Sequence, residues 1–280
     1  RDFIASKALA QKWRGFEPKP MNKHMKSHQI NAVDFSLRAG SSASFLDTGL
    51  GKSLAELEWA RQVLEETNMP VLILTPLAVA AQMVREGVKF GIDARQVRDP
   101  SEITKGINVA NYERLPKLDP SVFGGVVLDE SSILKSFAGR TRNMLMDAFK
   151  DCRYKMAATA TPSPNDHMEL GNHAEFLGVM RQQEMLSKWF INDTSTASQD
   201  WRLKGHAVED FWSWVASWSR CATLPSDLGG DDAGYILPDI DRRIHEVAAD
   251  RQADTQGMLF RIPELSATSF HAEKRLTMQA

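Results

Sequence analysis

Cysteine is scarce in this chain. Cys152 and Cys221 are the only two among 280 residues. They lie far apart, so they form neither a metal-binding pair nor a disulfide framework, and a reducing, cytoplasmic setting is the expectation. Long hydrophobic runs are missing as well. No stretch of about 18 or more apolar residues occurs, which excludes a membrane-spanning helix and removes the membrane as an expected partner. The opening residues, Arg1-Asp2-Phe3-Ile4, lack the layout of a signal peptide. Internal repeats and low-complexity tracts are absent. His167, His173 and His206 have no ligand spacing and read as structural. Nor is there an excess of positive charge: 34 Lys and Arg stand against 36 Asp and Glu, for a net charge of −2. Charge alone therefore does not point to nucleic acid.

What is present reads as an ordinary globular chain of one or two domains, 42% apolar and 25% charged. The most informative stretch is Asp47-Thr48-Gly49-Leu50-Gly51-Lys52-Ser53, directly after the apolar run Ala43-Ser44-Phe45-Leu46. A strand running into a glycine-rich turn that ends in Lys-Ser at a helix start builds a phosphate cradle. Backbone N–H groups from Thr48 to Ser53, with Gly49, Leu50 and Gly51 between, would face an anion. Lys52 would reach the β- and γ-phosphates, and the Ser53 hydroxyl would ligate Mg2+. The strict form of this loop has a glycine at position 46, where this chain has Leu46. A purely structural strand–turn–helix is the competing reading.

Gly124-Gly125-Val126-Val127-Leu128-Asp129-Glu130 reads as a buried parallel strand with two acids at its carboxyl end. Asp129 is suited to hold Mg2+ and Glu130 to orient or deprotonate a water. An acidic turn after a strand is the plainer alternative. Tyr154 to Ala158 is strand-like and stops at Thr159-Ala160-Thr161-Pro162, whose two hydroxyls could hydrogen-bond the acids. Strands are expected at 43–46, 71–75, 107–110, 125–128 and 154–158, with a weaker one at 95–98. Helical patterns fall between them, at Ser53–Leu64 and Leu77–Phe90. This alternation predicts an α/β fold with a mostly parallel, doubly wound sheet and all three motifs on one edge.

Taken together, Asp47–Ser53, Asp129-Glu130-Ser131-Ser132 and Thr159-Ala160-Thr161-Pro162 resemble motifs I, II and III of superfamily 2 (DEAD/DEAH-box-like) helicases and translocases. The Gly-Leu-Gly-Lys core, Lys135 and Val109-Ala110-Asn111-Tyr112-Glu113 resemble the chromatin-remodeller branch. Glu169 to Gly178 resembles a helicase-like group common in phages and prophages. His28-Gln29, just before the first helix, stands where that family's adenine-reading glutamine sits, and Leu74-Thr75-Pro76-Leu77 looks like motif Ia. The resemblance covers residues 24–178 well and the following hundred more loosely.

It implies a RecA-like ATP-binding domain over residues 21–178, preceded by a basic leader at 1–20. It implies ATP and Mg2+ as cofactors, Lys52, Asp129 and Glu130 as catalytic groups, and Gln29 on the base. Thr159 and Thr161 would couple nucleotide state to DNA or RNA touched near Thr75, Pro76, Asn111 and Tyr112. The basic stretch Lys7 to Lys26 reads either as a solvated leader or as a phosphate-contacting arm.

The resemblance also implies a second RecA-like domain carrying an arginine finger, which no segment after Pro162 matches. The expectation is therefore an N-terminal motor half, truncated or completed in cis or in trans, that hydrolyses ATP weakly by itself. After Gly178 the alternation stops. Residues 179–280 read as a mainly helical, Trp-rich extension with loops at 192–200 and 225–234. Phe211, Trp214, Val215 and Trp218 make one helical face, read either as packing or as a base-stacking platform. Two rival functions remain: a nucleotide-binding accessory or regulatory module without motor activity, and a P-loop phosphotransferase.

Overall fold

The computed structural model describes residues 14–135, 139–163, 166–193, 200–236 and 242. Lys7 and Lys12 of the basic stretch, the loop tip at 194–199 and nearly all of the expected tail beyond 236 lie outside the described residues. The strands are β1 (Ser41–Leu46), β2 (Val71–Thr75), β3 (Ala94–Gln96), β4 (Ile107–Asn111), β5 (Gly125–Asp129), β6 (Tyr154–Ala158), β7 (Phe190–Asp193), β8 (Asp200–Leu203) and β9 (Ser219–Ala222). The helices are α1 (Ser27–Ala39), α2 (Lys52–Thr67), α3 (Ala80–Phe90), α4 (Arg140–Ala148), α5 (Leu170–Phe176), α6 (Gln182–Trp189) and α7 (Val208–Trp218).

Seven strands form one sheet in the order β3-β4-β2-β5-β6-β1-β9, every pair parallel. β7 and β8 make a separate antiparallel hairpin. The central strands read as unbroken apolar runs because both their faces are covered. Alternation then divides each strand between two cores. Val71, Ile73, Val127 and Met156 pack with α1, α2 and α3 on one face. Leu72, Leu74, Val126, Leu128 and Ala157 pack with α4 to α7 on the other. This is the RecA-like α/β architecture, with a Trp-rich helical region packed onto it.

One strand escapes the sequence reading. β9 follows the Trp-rich helix without a break and pairs with β1, Ala43 opposite Ser219 and Leu46 opposite Ala222. The alternation thus resumes once more after Gly178. The aromatic face of α7 is packing: Phe211, Trp214, Val215 and Trp218 are buried with Trp189, Phe190 and Phe45. Trp218 meets Phe45 edge-on with ring centres 6.0 Å apart.

The first described residues dock rather than project. The amides of Gly15 and Phe16 donate to the carbonyls of Arg38 and Leu37, satisfying the free end of α1. Lys155 is buried within β6, and its ammonium donates to the carbonyl of Phe176 at the end of α5, 2.9 Å away. Burial lowers its pKa from the ordinary lysine value. Among the described residues no helix is long and apolar enough to cross a membrane.

Trp218→Ala should destabilise the fold by about 3–5 kcal/mol, because the side chain is 3% exposed and fills the joint between α7 and β1. Trp212→Ala, at a ring 41% exposed, should cost less than about 1 kcal/mol. Urea unfolding of both variants measures the contrast.

Candidate functional site

β1, β6 and β5 are neighbours in the sheet, so the segments leaving their carboxyl ends share one rim. These segments are Asp47–Ser53, Glu130–Ser131 and Thr159–Thr161. In an open parallel sheet this rim is where ligands bind.

The glycine loop is held from several sides through its carbonyls. Lys52 Nζ donates to the carbonyl of Leu46 at 3.0 Å and to that of Asp47 at 3.5 Å. Gln29 Nε2 donates to the carbonyls of Leu50 at 3.1 Å and Gly51 at 3.2 Å, and His28 Nε2 donates to the carbonyl of Leu50 at 3.1 Å. The Asp47 amide donates to the carbonyl of Ala222, tying the loop to β9. The amides of Gly49, Gly51, Lys52 and Ser53, by contrast, have no hydrogen-bond partner among the described residues.

Both glycines take left-handed backbone, φ +91° at Gly49 and +78° at Gly51. A Cβ on Gly51 would sit 2.1 Å from Gln29 Nε2, while Gly49 has open space around it. Free amides at a helix start, a glycine with room beside it and an adjacent lysine fit a polyphosphate. Leu46, where the strict loop would have glycine, is buried in a small cluster with Ala32, Leu50 and Ala222.

Gln29 does not precede the first helix, as the sequence pattern suggests. It lies in the first turn of α1, and its Oε1 accepts the Lys26 amide at 2.8 Å. That bond fixes the amide's orientation, and both Nε2 hydrogens go to the loop's carbonyls. Gln29 is thus a latch between α1 and the loop.

On β5, Asp129 is 7% exposed. Burial, with the neighbouring Glu130, pushes its pKa up to about 6 against the pull of Lys52. Glu130 adopts φ +53°, unusual outside glycine. Its Oε2 accepts a hydrogen bond from Thr159 Oγ1 at 3.0 Å, and Thr159 Oγ1 accepts from the Thr161 amide at 3.1 Å. Thr161 therefore enters through its backbone, and of the two hydroxyls at this strand end it is Thr159's that reaches the acids.

Thr75, Asn111 and Tyr112 are buried. The Asn111 amide donates to the carbonyls of Pro76 (3.0 Å) and Leu77 (3.3 Å), and the Tyr112 hydroxyl donates to the carbonyl of Asp129 at 2.7 Å. These side chains brace the neighbouring loops from within, and the surface at this place is offered by Leu77, which is highly exposed.

Two supports were not foreseen in these roles. His173 is buried, and desolvation pushes its pKa down to about 4. It is neutral: Nδ1 donates to the carbonyl of Glu169 and Nε2 accepts from Ser131 Oγ at 3.1 Å. α5 thereby props the residue after the acid pair.

The second is Glu56 on α2, one turn after Lys52, 1% exposed with neither carboxylate oxygen hydrogen-bonded. Burial and the negative charge of Asp129 hold its pKa well above the usual carboxylate range. A carboxyl inside an apolar helix face is itself a signal in the sequence, since a glutamate so placed must be neutral or partnered. Among the described residues no group of three or more His, Cys, Asp or Glu is arranged to hold a metal. Mg2+ here would take Asp129 and Ser53 together with a ligand's own oxygens. A cavity of about 630 Å³ opens elsewhere, and its arginines are already engaged, Arg142 with Glu175 and Arg181 with Glu184.

No family model matches the chain. Protein p41 of Acyrthosiphon pisum secondary endosymbiont phage 1 is 27% identical over 260 residues, covering 83% of this chain and 54% of that protein. The SWI2/SNF2 ATPase core of Sulfolobus solfataricus in complex with dsDNA superposes with a TM-score of 0.61 at 20% identity, over 74% of this chain and 46% of that one. The same organism's SWI2/SNF2 ATPase core domain gives 0.57 at 20%, over 78% and 46%. The chain thus spans about half the length of each, and the likeness to the two structures is one of fold.

Because its pKa is raised in the fold, Glu56 holds its proton to higher pH in the folded state than in the unfolded chain, which releases it above the ordinary value, about 4.3. Stability contributed by this site is therefore lost as pH rises above that value. Glu56→Gln should remove the dependence, so that the variant gains on the parent by up to about 1.4 kcal/mol per pH unit. Denaturant unfolding between about pH 5 and pH 8 reads the slope, and parallel curves would show that Glu56 is ionised in the fold.

Proposed function

We propose that the chain is the ATP-binding part of an ATP-driven motor acting on DNA or RNA, of the superfamily 2 helicase or translocase kind. The observation that carries this reading is the meeting, on one sheet rim, of a loop offering free amides with an acid pair whose Glu130 is gripped by Thr159.

In this reading the amides of Gly49 to Ser53 and the Lys52 ammonium bind the phosphates, Lys52 turning from the Leu46 carbonyl toward the anion. Gln29 contributes Oε1, which keeps one lone pair, to the exocyclic amine of adenine. Ser53 and Asp129 hold Mg2+, which when bound neutralises phosphate charge and orients the γ-phosphoryl group. Glu130 accepts a hydrogen bond from the attacking water and orients it.

Because Thr159 donates to that same carboxylate, a change at Glu130 is felt at Thr159 and Thr161. The acid strand is joined to the loop after β4 by the Tyr112 hydroxyl, which donates to the Asp129 carbonyl, and the nucleic acid would pass near Thr75, Pro76, Asn111 and Tyr112. A second RecA-like domain, in cis or in trans, would complete the site with an arginine finger. The chain's match to about half of each longer relative agrees with that.

Lys52→Ala should weaken ATP binding by about 10- to 100-fold, the worth of a charge-assisted phosphate contact. Calorimetric titration with Mg2+-ATP tests this, and unchanged affinity would refute the assignment. ATPase assays with and without DNA, on this chain and on one extended by a second RecA-like domain, separate a motor from an accessory module. DNA stimulation in the extended chain supports the motor; binding without hydrolysis in both supports the module.

A further inference from the structure

Tyr235 belongs to a segment that returns to the phosphate loop from far along the chain. β9 ends beside β1, and the residues from Thr223 to Tyr235 are tightly tied. Asp227 Oδ2 accepts from the amides of Thr223 and Leu224 and from the Thr223 hydroxyl, at 2.8–3.0 Å. Asp232 Oδ1 accepts from the Ser226 amide at 2.8 Å, and the Tyr235 amide donates to the carbonyl of Asp232 at 2.9 Å. Tyr235 and Leu228 pack against the cluster that contains Leu50 of the loop. The Tyr235 ring meets His28 edge-on, centres 5.7 Å apart, and Lys26 Nζ lies 4.6 Å from its centroid.

His28 is buried, whereas Tyr235 is half-exposed, so the tyrosine supplies the accessible ring in this cluster. Among the described residues neither its hydroxyl nor the Lys26 ammonium has a hydrogen-bond or salt-bridge partner. Gln29 has placed both its donors on the loop, so its amide alone cannot fix a base by paired donor and acceptor contacts.

We propose that Tyr235 is a base-recognition residue: a purine whose phosphates lie on the Gly49–Ser53 amides stacks on the Tyr235 ring, with Lys26 covering the opposite face. This rests on the nucleotide-binding reading above. It adds that base affinity is supplied by the segment after β9 and not by the loop's own side. Lys26 over the ring makes an ammonium–ring–base stack, and base–aromatic stacking is tolerant of base identity. The site would therefore accept guanine as well as adenine unless Gln29 Oε1, which suits an exocyclic amine, discriminates.

The test is calorimetric binding of Mg2+-ATP and of Mg2+-tripolyphosphate, which has no base, to the parent chain, Tyr235→Ala, Tyr235→Phe and Lys52→Ala. Tyr235→Ala should weaken ATP roughly 10- to 100-fold and leave tripolyphosphate unchanged. Tyr235→Phe, which keeps the ring, should hold ATP affinity within about threefold. Lys52→Ala should weaken both ligands. Equal weakening of both ligands in Tyr235→Ala would make the residue a brace for the loop and overturn the proposal. Unchanged ATP affinity in that variant, with Lys52→Ala still weakening both, would overturn it while leaving the phosphate site standing. A parent chain that binds neither ligand, or a Lys52→Ala that changes neither, would bring down the nucleotide reading itself and this proposal with it.

Discussion

The orientation of four peptide groups decides what the glycine loop can hold. The carbonyls of Leu46, Asp47, Leu50 and Gly51 are each taken by a donor of the protein, from Lys52, Gln29, His28 or the loop itself. With those four oxygens held, the amides of Gly49, Gly51, Lys52 and Ser53 stay unpaired among the described residues. A concave run of amide donors at a helix start attracts anions whatever the net charge of the chain. A protein of charge −2 can therefore still offer a local run of amides that attracts an anion. The grip also depends on parts far apart in sequence. Removing α1 would free the Leu50 carbonyl to face the same opening, and removing β9 would release the Asp47 amide that ties the loop to the sheet.

The sheet then determines what stands opposite the loop. Because β1 pairs with β6 and β6 with β5, all parallel, Ser44, Ala158 and Asp129 fall in one row. Helix α2 covers the same face, which brings Glu56 in behind Asp129 and Lys52. Three carboxyls and one ammonium in a desolvated corner cannot all be charged at low cost. The fold responds by raising the pKa of both buried acids, Glu56 through burial and the charge of Asp129, and Asp129 through burial and the charge of Glu130. Glu130 differs in having a donor in Thr159 and a left-handed backbone where the strand ends.

Much of this was legible in the chain. The central strands, the glycine loop and the acid pair follow from runs of β-branched and apolar residues that end in chemistry-bearing turns, which are local signals. What was not legible depends on contacts between distant segments. β9 reads Ser219-Arg220-Cys221-Ala222, four residues without a β-branched side chain, and it becomes a strand only because β1 offers an open edge. The start of α1 was obscured because Lys26 is a poor cap; the cue lay in Gln29, three residues on, whose side chain takes the Lys26 amide. Glu56 lies among Leu54, Leu57 and Trp59 on α2, where a period of 3.6 marks a buried face but says nothing about the charge state of an acid within it. The motif resemblance puts nucleic acid near Asn111 and Tyr112 and carries no information on which way their side chains face. Their neighbours in space, Pro76 and Asp129, show them bracing loops from inside.

An anion cradle facing an acid pair is unstable as a binding site on its own terms. A polyphosphate on the loop amides would lie against Asp129 and Glu130, and like charges at such range in a partly desolvated corner repel strongly. Lys52 offsets one charge and cannot offset three or four. A small divalent cation between ligand and acid would offset that repulsion. A site built this way should therefore discriminate by metal before it discriminates by base.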